Sequence, residues 1–299
     1  MSSFFTHLLR VLLEKEDNVS EIRLFDKHTN PGMQDQSTGT VNVINVCVET
    51  GIQYLVYTSS MEVVGPNVKG DPFIRGNEET VYNVCHEMPY PKSKADAEKL
   101  VLDANGKKVN GGACLYTCAL RPTGIYGEQH QLMRDFYQMG MRTGGWLIRG
   151  LPQSTEHGRV YAGNVAWMHL LAARSLQGRP HIMGGEAYFC YDNSPYKSYE
   201  DFNMQFLSRF NFREVRLPLW LLWVVAWLND LLHFLLKPVW RYTPLLNRYT
   251  LAVACTSFTI SSDKAQRHFQ YSPLYDWDQA RARTQSWVNT FAHSTAKES

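Results

Sequence analysis

No glycine precedes Gly32 in this chain of 299 residues, although 20 glycines occur in the whole. That absence excludes a glycine-rich strand–turn–helix phosphate cradle in the amino-terminal stretch, because such a turn needs glycine for the backbone to close on a pyrophosphate. The later pairs Gly111-Gly112, Gly144-Gly145 and Gly184-Gly185 do not follow strand-like runs in the required way. Cysteine is also scarce: six are scattered, and Cys114 with Cys118 has neither CxxC nor zinc-finger spacing. Reduced, mostly buried thiols are expected. Charge of one sign is missing too. Thirty basic and 28 acidic residues leave a net charge of +2, which gives no reason to invoke nucleic acid. There is no internal repeat and no low-complexity linker. The apolar run Met1–Glu14 is interrupted by His7 and Arg10 and lacks a small-residue cleavage site, so it reads as a helix rather than a signal peptide.

Against these absences stands Tyr90-Pro91-Lys92-Ser93-Lys94. Tyr-x-x-x-Lys on a helix stacks a phenol and an ammonium on one face. The ammonium favours phenolate, and a phenol so tuned can take a proton from an alcohol while a hydride leaves the same carbon. Alone, the pattern is more often an ordinary helix face. Its surroundings argue otherwise. Tyr54–Ser60 is an apolar, β-rich run ending in hydroxyls, as expected of a buried parallel strand that delivers residues to its carboxyl end. Ser60, 30 residues before Tyr90, is then a candidate to bind a substrate oxygen. Cys118–Gly127 reads again as a strand followed by a glycine-punctuated loop through Arg121, Pro122, Thr123 and Gly124.

Thr58–Asn67, Tyr90–Lys94, Ala119–Gly127, Arg159–His169 and Phe258–Ala265 resemble signature segments of the 3β-hydroxysteroid dehydrogenase family of extended short-chain dehydrogenase/reductases. The similarity runs from about Gly39 to about Trp287, and it is greatest to the branch that oxidises 7α-hydroxylated C27 sterols in bile-acid synthesis. The resemblance implies an α/β, Rossmann-like parallel sheet with a smaller carboxyl-terminal lobe. It implies NAD as cofactor, a steroid or sterol substrate, the endoplasmic reticulum membrane as location, and compatibility with a homo-oligomer. Tyr90 would be the general base, Lys94 would lower its pKa and hold the nicotinamide ribose, and Ser60 would bind the carbinol oxygen. Pro122 and Thr123 would lie on the cofactor side.

The amino-terminal part departs from that pattern. Glu21–Asp26 resembles the second strand of the fold, and Asp26 at its end could accept from an adenosine ribose and disfavour a 2′-phosphate, or be a turn aspartate. Only 11 residues, Lys27–Ser37, then precede the helix-like Thr38–Cys47. One crossover alone takes a dozen residues or more. The sheet is therefore expected to lack its first, glycine-bearing strand and its third and fourth strands. Residues 1–175 are read as an incomplete NAD-binding and catalytic domain, and 176–299 as a substrate lobe.

Within that lobe, Leu217–Leu236 is long enough to span a bilayer, but Asn229, Asp230 and His233 interrupt it and Trp220, Trp223, Trp227 and Trp240 suit an interface equally. Segment 217–240 is read as membrane-embedded or monotopic, with a buried lid helix as the alternative. Met133, Phe136, Tyr137, Met139 and Met141 recur on one helical side, as a flat ligand's wall or as plain core. Glu156, His157 and His169 show no third metal ligand at useful spacing. Asn164 is expected to cap a helix. Two functions follow: an NAD-dependent 3β-hydroxysteroid oxidoreductase, or a non-catalytic membrane-associated isoform with impaired NAD binding.

Overall fold

The computed structural model describes residues 7–8, 10–11, 14–15, 36–67, 69–86, 88–236 and 246–292. Asp26, its expected strand and the stretch 27–35 lie outside the described residues. His7, Leu8, Arg10, Val11, Glu14 and Lys15 are helical, as the apolar spacing predicts.

Helix α1 (Gln36–Thr50) buries Ile44 and Cys47, one turn apart, and stops at Gly51, whose φ of +75° favours glycine. β1 (Tyr54–Thr58), helix α2 (Pro89–Asp103) and β3 (Tyr116–Pro122) follow, with the short β2 (Phe73–Gly76) between β1 and α2. After β4 (Gly124–Tyr126) come α3 (Gln131–Arg142), β5 (Trp146–Arg149), β6 (Arg159–Tyr161), α4 (Ala162–Gly178), α5 (Pro180–Met183) and β7 (Glu186–Cys190). The rest is α6 (Tyr199–Leu207), β8 (Arg213–Arg216), α7 (Leu219–Leu236), α8 (Arg248–Cys255), β9 (Phe258–Ile260), α9 (Lys264–Phe269) and α10 (Trp277–Asn289).

The main sheet has the order β1-β3-β7, parallel throughout, with Thr58 opposite Leu120 and Pro122 opposite Cys190. Strand alternation sends β1 side chains to both faces. Tyr54 and Val56 join Cys118, Leu120, Tyr188 and the apolar side of α4, while Leu55 and Tyr57 meet Ile44, Cys47, Val101 and Ala104 of α1 and α2. Helices thus cover both faces, as parallel sheets require. The α/β, Rossmann-like class read from the sequence is the one observed. The sheet is incomplete among the described residues: β1 is an edge, and all five of its residues are only half-buried, whereas β7 is buried from Ala187 to Cys190. β7 joins this sheet although it follows residue 175.

Two expectations are corrected. The glycine loop after β3 is a tight step at Thr123, because β4 resumes at Gly124 and pairs with β6. Asn164 does not cap α4, which begins at Ala162 with Tyr161 as its N-cap. Its fully buried amide instead donates to Asp192 Oδ2 (2.9 Å) and the Tyr275 carbonyl (2.8 Å) and accepts from the Tyr275 N–H (2.8 Å).

His169 of α4 fixes the end of β1. Its Nδ1 faces the Val165 carbonyl at 2.8 Å and so carries the proton, leaving Nε2 to accept from the Thr58 hydroxyl at 2.8 Å. Burial pushes this imidazole down to about 4.

Asn164→Ala should cost about 2–3 kcal/mol in denaturant unfolding, since it removes a buried amide's three hydrogen bonds to two loops. His169 binds a proton in the unfolded chain below its ordinary value of 6.5 but not in the fold until about 4. Its stabilisation is therefore complete above pH 6.5 and lost as pH falls through that window. His169→Asn should flatten the fall in stability from pH 6.5 to 4 by about 2–3 kcal/mol.

Candidate active site

The carboxyl ends of β1 and β3 and the first turns of α2 meet in one place. Helix α2 starts with Pro89 and Pro91 in its first turn, where a missing N–H costs nothing. Tyr90, Lys94 and Glu98 then follow at i, i+4 and i+8 on one face. Glu98 is buried and takes Arg121 of β3 through a bidentate fork, Nη2–Oε1 at 2.6 Å and Nε–Oε2 at 3.0 Å. Lys94 Nζ donates to the Thr58 carbonyl at the end of β1 (2.8 Å) and lies 5.0 Å from the Tyr57 ring. Two strands therefore grip the helix that presents Tyr90.

Ser60 stands where β1 gives way to a single 3-10 turn (Met61–Val63), and its Oγ accepts from the Glu62 N–H at 3.2 Å. The same hydroxyl faces the Tyr90 phenol closely enough to lower its pKa. Tyr90 remains 47 % exposed, so a ligand can reach it. Its phenol is held above its ordinary value by burial and by the Glu62 carboxylate, with Ser60 pulling the other way. Burial lowers Lys94 to about 8, and Glu98 opposes that shift. The ammonium that the i, i+4 spacing sets beside the phenol is thus engaged by Thr58, and Glu62 is the charge acting on Tyr90. The Glu62 carboxyl is itself raised by burial.

The other sequence candidates fall around this centre. Pro122 ends β3 and is buried; Thr123 follows it, 5 % exposed, with an unpartnered Oγ1. Ser59 Oγ and the Tyr57 hydroxyl are also buried without partners. These three hydroxyls sit at the carboxyl ends of two neighbouring strands, where parallel α/β sheets bind ligands. Asp26 lies outside the described residues. The expected methionine wall divides: Met133 and Tyr137 are core, Phe136 is half-buried, and Met139 and Met141 face outward. Position 139 points away from 133 and 137, whereas 141 continues their i, i+4 series but is exposed in the last turn of α3.

Sequence reasoning missed Glu62, Glu98 with Arg121, and the His169–Thr58 bond. Glu98 carried a usable signal, four residues beyond Lys94 on the same face. The others are joined only by the fold, across up to 111 residues.

Helix α7 has a mean hydropathy of 1.7 over its 18 residues, and only 6 % of it is buried. Its polar stripe makes hydrogen bonds to the segment that follows. Asn229 Nδ2 donates to the Leu246 carbonyl (2.8 Å), and Asp230 Oδ2 accepts from Arg248 Nε (2.7 Å). Trp220, Trp227, Phe234 and Leu235 project outward.

The family model described as "3-beta hydroxysteroid dehydrogenase/isomerase family" matches residues 33–219. "3 beta-hydroxysteroid dehydrogenase type 7" of Homo sapiens is 52 % identical over 338 positions, covering 94 % of this chain and 92 % of the relative. The Mus musculus protein of the same name is 52 % identical over 344 positions, 96 % and 93 % respectively. Both alignments are longer than the chain's 299 residues, so these relatives hold internal residues with no counterpart here. The "3 beta-hydroxysteroid dehydrogenase/Delta 5-->4-isomerase" of Vaccinia virus (strain Ankara) is 43 % identical over 269 positions, 89 % of this chain and 76 % of its own. Among solved structures, a UDP-galactose 4-epimerase superposes with a TM-score of 0.57 at 15 % identity, covering 88 % of this chain and 72 % of that one, a likeness of fold alone. Because the matched segment contains Ser60, Tyr90, Lys94 and Thr123 and the relatives align over nearly the whole chain, the protein belongs to the 3-beta hydroxysteroid dehydrogenase/isomerase family of oxidoreductases.

Proposed function

We propose that this protein oxidises the 3β-hydroxyl of a Δ5 steroid or sterol with NAD as hydride acceptor, at the endoplasmic reticulum membrane. The observation that carries the reading is the meeting of Ser60, Tyr90 and Lys94 at the carboxyl end of β1, in a chain half identical to 3β-hydroxysteroid dehydrogenases. The Ser60 hydroxyl would hold the carbinol oxygen, and Tyr90 Oη would take its proton. Lys94 has three N–H donors and spends one on Thr58, leaving two for ribose hydroxyls. NAD, when bound, supplies the acceptor for the hydride leaving C3.

The residues present fit the nicotinamide end of that cofactor. The unpartnered hydroxyls of Tyr57, Ser59 and Thr123 are polar groups awaiting a ligand beside Lys94. The pyrophosphate end has no glycine cradle before Gly32. Helix α7 would lie in the membrane with Trp220, Trp227 and Phe234 inserted, and with Asn229 and Asp230 bonded to Leu246 and Arg248.

At millimolar NAD, a 3β-hydroxy-Δ5 steroid should yield NADH, and Tyr90→Phe should lower that rate by about 10²–10⁴-fold with an unchanged circular dichroism spectrum. Undiminished turnover in the variant would remove Tyr90 from the chemistry. Expressed in cells, the protein should sediment with endoplasmic reticulum membranes and stay there in high salt, because apolar insertion is not screened. Replacing Trp220, Trp227 and Phe234 together by glutamate should release it; recovery of the unaltered protein in the soluble fraction would contradict the anchor.

A further inference from the structure

Two arginines are buried in this fold, and they are treated differently. Arg149, 3 % exposed in side chain, is surrounded by Glu200, Asp201 and Glu214, with Nη1–Glu214 Oε2 at 2.5 Å. Arg159, 4 % exposed, has no carboxylate partner among the described residues, and its Nε and Nη2 make no hydrogen bond. Its guanidinium lies 4.3 Å from the Tyr199 ring and 4.9 Å from that of Phe202. The chain makes room for it. A Cβ on Gly124 would stand 2.8 Å from Arg159 Nη1 and 3.1 Å from Cδ, so a side chain there would have to displace the guanidinium.

Other polar groups lie around this cation. His157 is fully buried beside the Val253 and Thr256 carbonyls, and its ring centroid is 4.1 Å from that of Tyr199. His130 Nδ1 and Thr123 Oγ1 are buried without a partner among the described residues. Arg159 acts electrostatically on both histidines, and with burial it drives each down to about 4, so they remain neutral hydrogen-bonding groups. An unpaired buried cation is costly, and Arg149, although its Nε makes no hydrogen bond, has three carboxylates to balance its charge where Arg159 has none among the described residues. The cluster also borders the reaction centre, since the Glu62 carboxylate is felt by both Tyr90 and Tyr199.

We propose that Arg159, with His130, forms a binding site for the carboxylate of an apolar ligand, giving the protein a preference for acidic over neutral steroids. One fixed positive charge among neutral donors balances a monoanion rather than a doubly charged phosphate. The rings of Tyr199, Phe202 and Tyr126 around it suit an apolar body attached to that carboxylate. The guanidinium's two free N–H edges match the two oxygens of a carboxylate. The steroid nature of the body rests on the function proposed above.

The test is equilibrium binding without dinucleotide, so that it does not depend on turnover. A 3β-hydroxy-Δ5 steroid bearing a side-chain carboxylate is compared with its side-chain alcohol, each with and without inorganic phosphate. The acid should bind about tenfold tighter than the alcohol, the worth of one charge-assisted pair, and phosphate should not displace it. Arg159→Met should abolish that preference and leave the alcohol's affinity within about twofold, while Arg159→Lys should keep part of it, as a point charge lacks the bidentate fork. If the methionine variant does not fold, a selective loss for the acid in the lysine variant decides the matter. No preference in the unaltered protein, equal weakening for both ligands, or displacement by phosphate would overturn the assignment. Acid binding without any NADH formation would count against the proposed reaction and leave this site standing.

Discussion

The structure hangs on how helix α2 is held against the sheet. Its working face carries Tyr90, Lys94 and Glu98 at successive turns, and two of the three are spent on strands. Glu98 closes on Arg121 of β3, and Lys94 reaches the last carbonyl of β1. A charge pair this buried contributes little net stability over apolar packing, but breaking one side leaves a stranded charge, so it fixes position strongly. With the helix so tied, Tyr90 stands over Ser60 at the open edge of the sheet. His169, from α4 on the opposite face, bonds the Thr58 side chain and closes the arrangement from below. Both layers of helices thus converge on the same strand end.

Much of this was legible in the sequence because it is local. The apolar period of α1, the β-rich run of β1 and the Tyr90–Lys94 spacing each lie within one element, and each element formed where its pattern placed it. The incomplete sheet was legible as well, from too few residues between Lys27 and Ser37. What the sequence could not disclose is pairing at a distance. Asn164 carries the composition of a cap, yet Asp192 and Tyr275 draw it into a three-way staple. Arg121 reads as part of a loop motif, but β3 runs on through Pro122 because Cys190 of β7 lies opposite. The outward Met139 shows the limit of a stripe judged by composition without the helical angle, and Met141, on the right flank but at the helix end, stays exposed because the core stops short of it.

Several of the buried polar groups left unmatched among the described residues lie near the site. Tyr57, Ser59 and Thr123 lie at the ends of β1 and β3, and His130 and Arg159 lie beyond Thr123 on the lobe side. Arg149 Nε, the Asn203 amide and Gln205 Nε2 are unmatched as well, whereas Asn164 is fully satisfied. Unpaired buried groups are tolerated where a ligand completes them. That distribution gives the site two ends: hydroxyls beside Lys94, and a lone cation beneath Tyr199. Helix α7 places a broad apolar surface on the same lobe, which is where a lipophilic substrate would arrive.

The central claim is that a hydride leaves C3 of a 3β-hydroxysteroid held at Ser60 and Tyr90. It is tested most directly with a 3β-hydroxy-Δ5 steroid carrying deuterium at the 3α position. Incubated with the protein and millimolar NAD, it should give a 3-ketosteroid without the label and reduced NAD that has gained one deuterium, read by mass spectrometry. Reduced NAD without deuterium, or no 3-ketosteroid at all, would contradict the account.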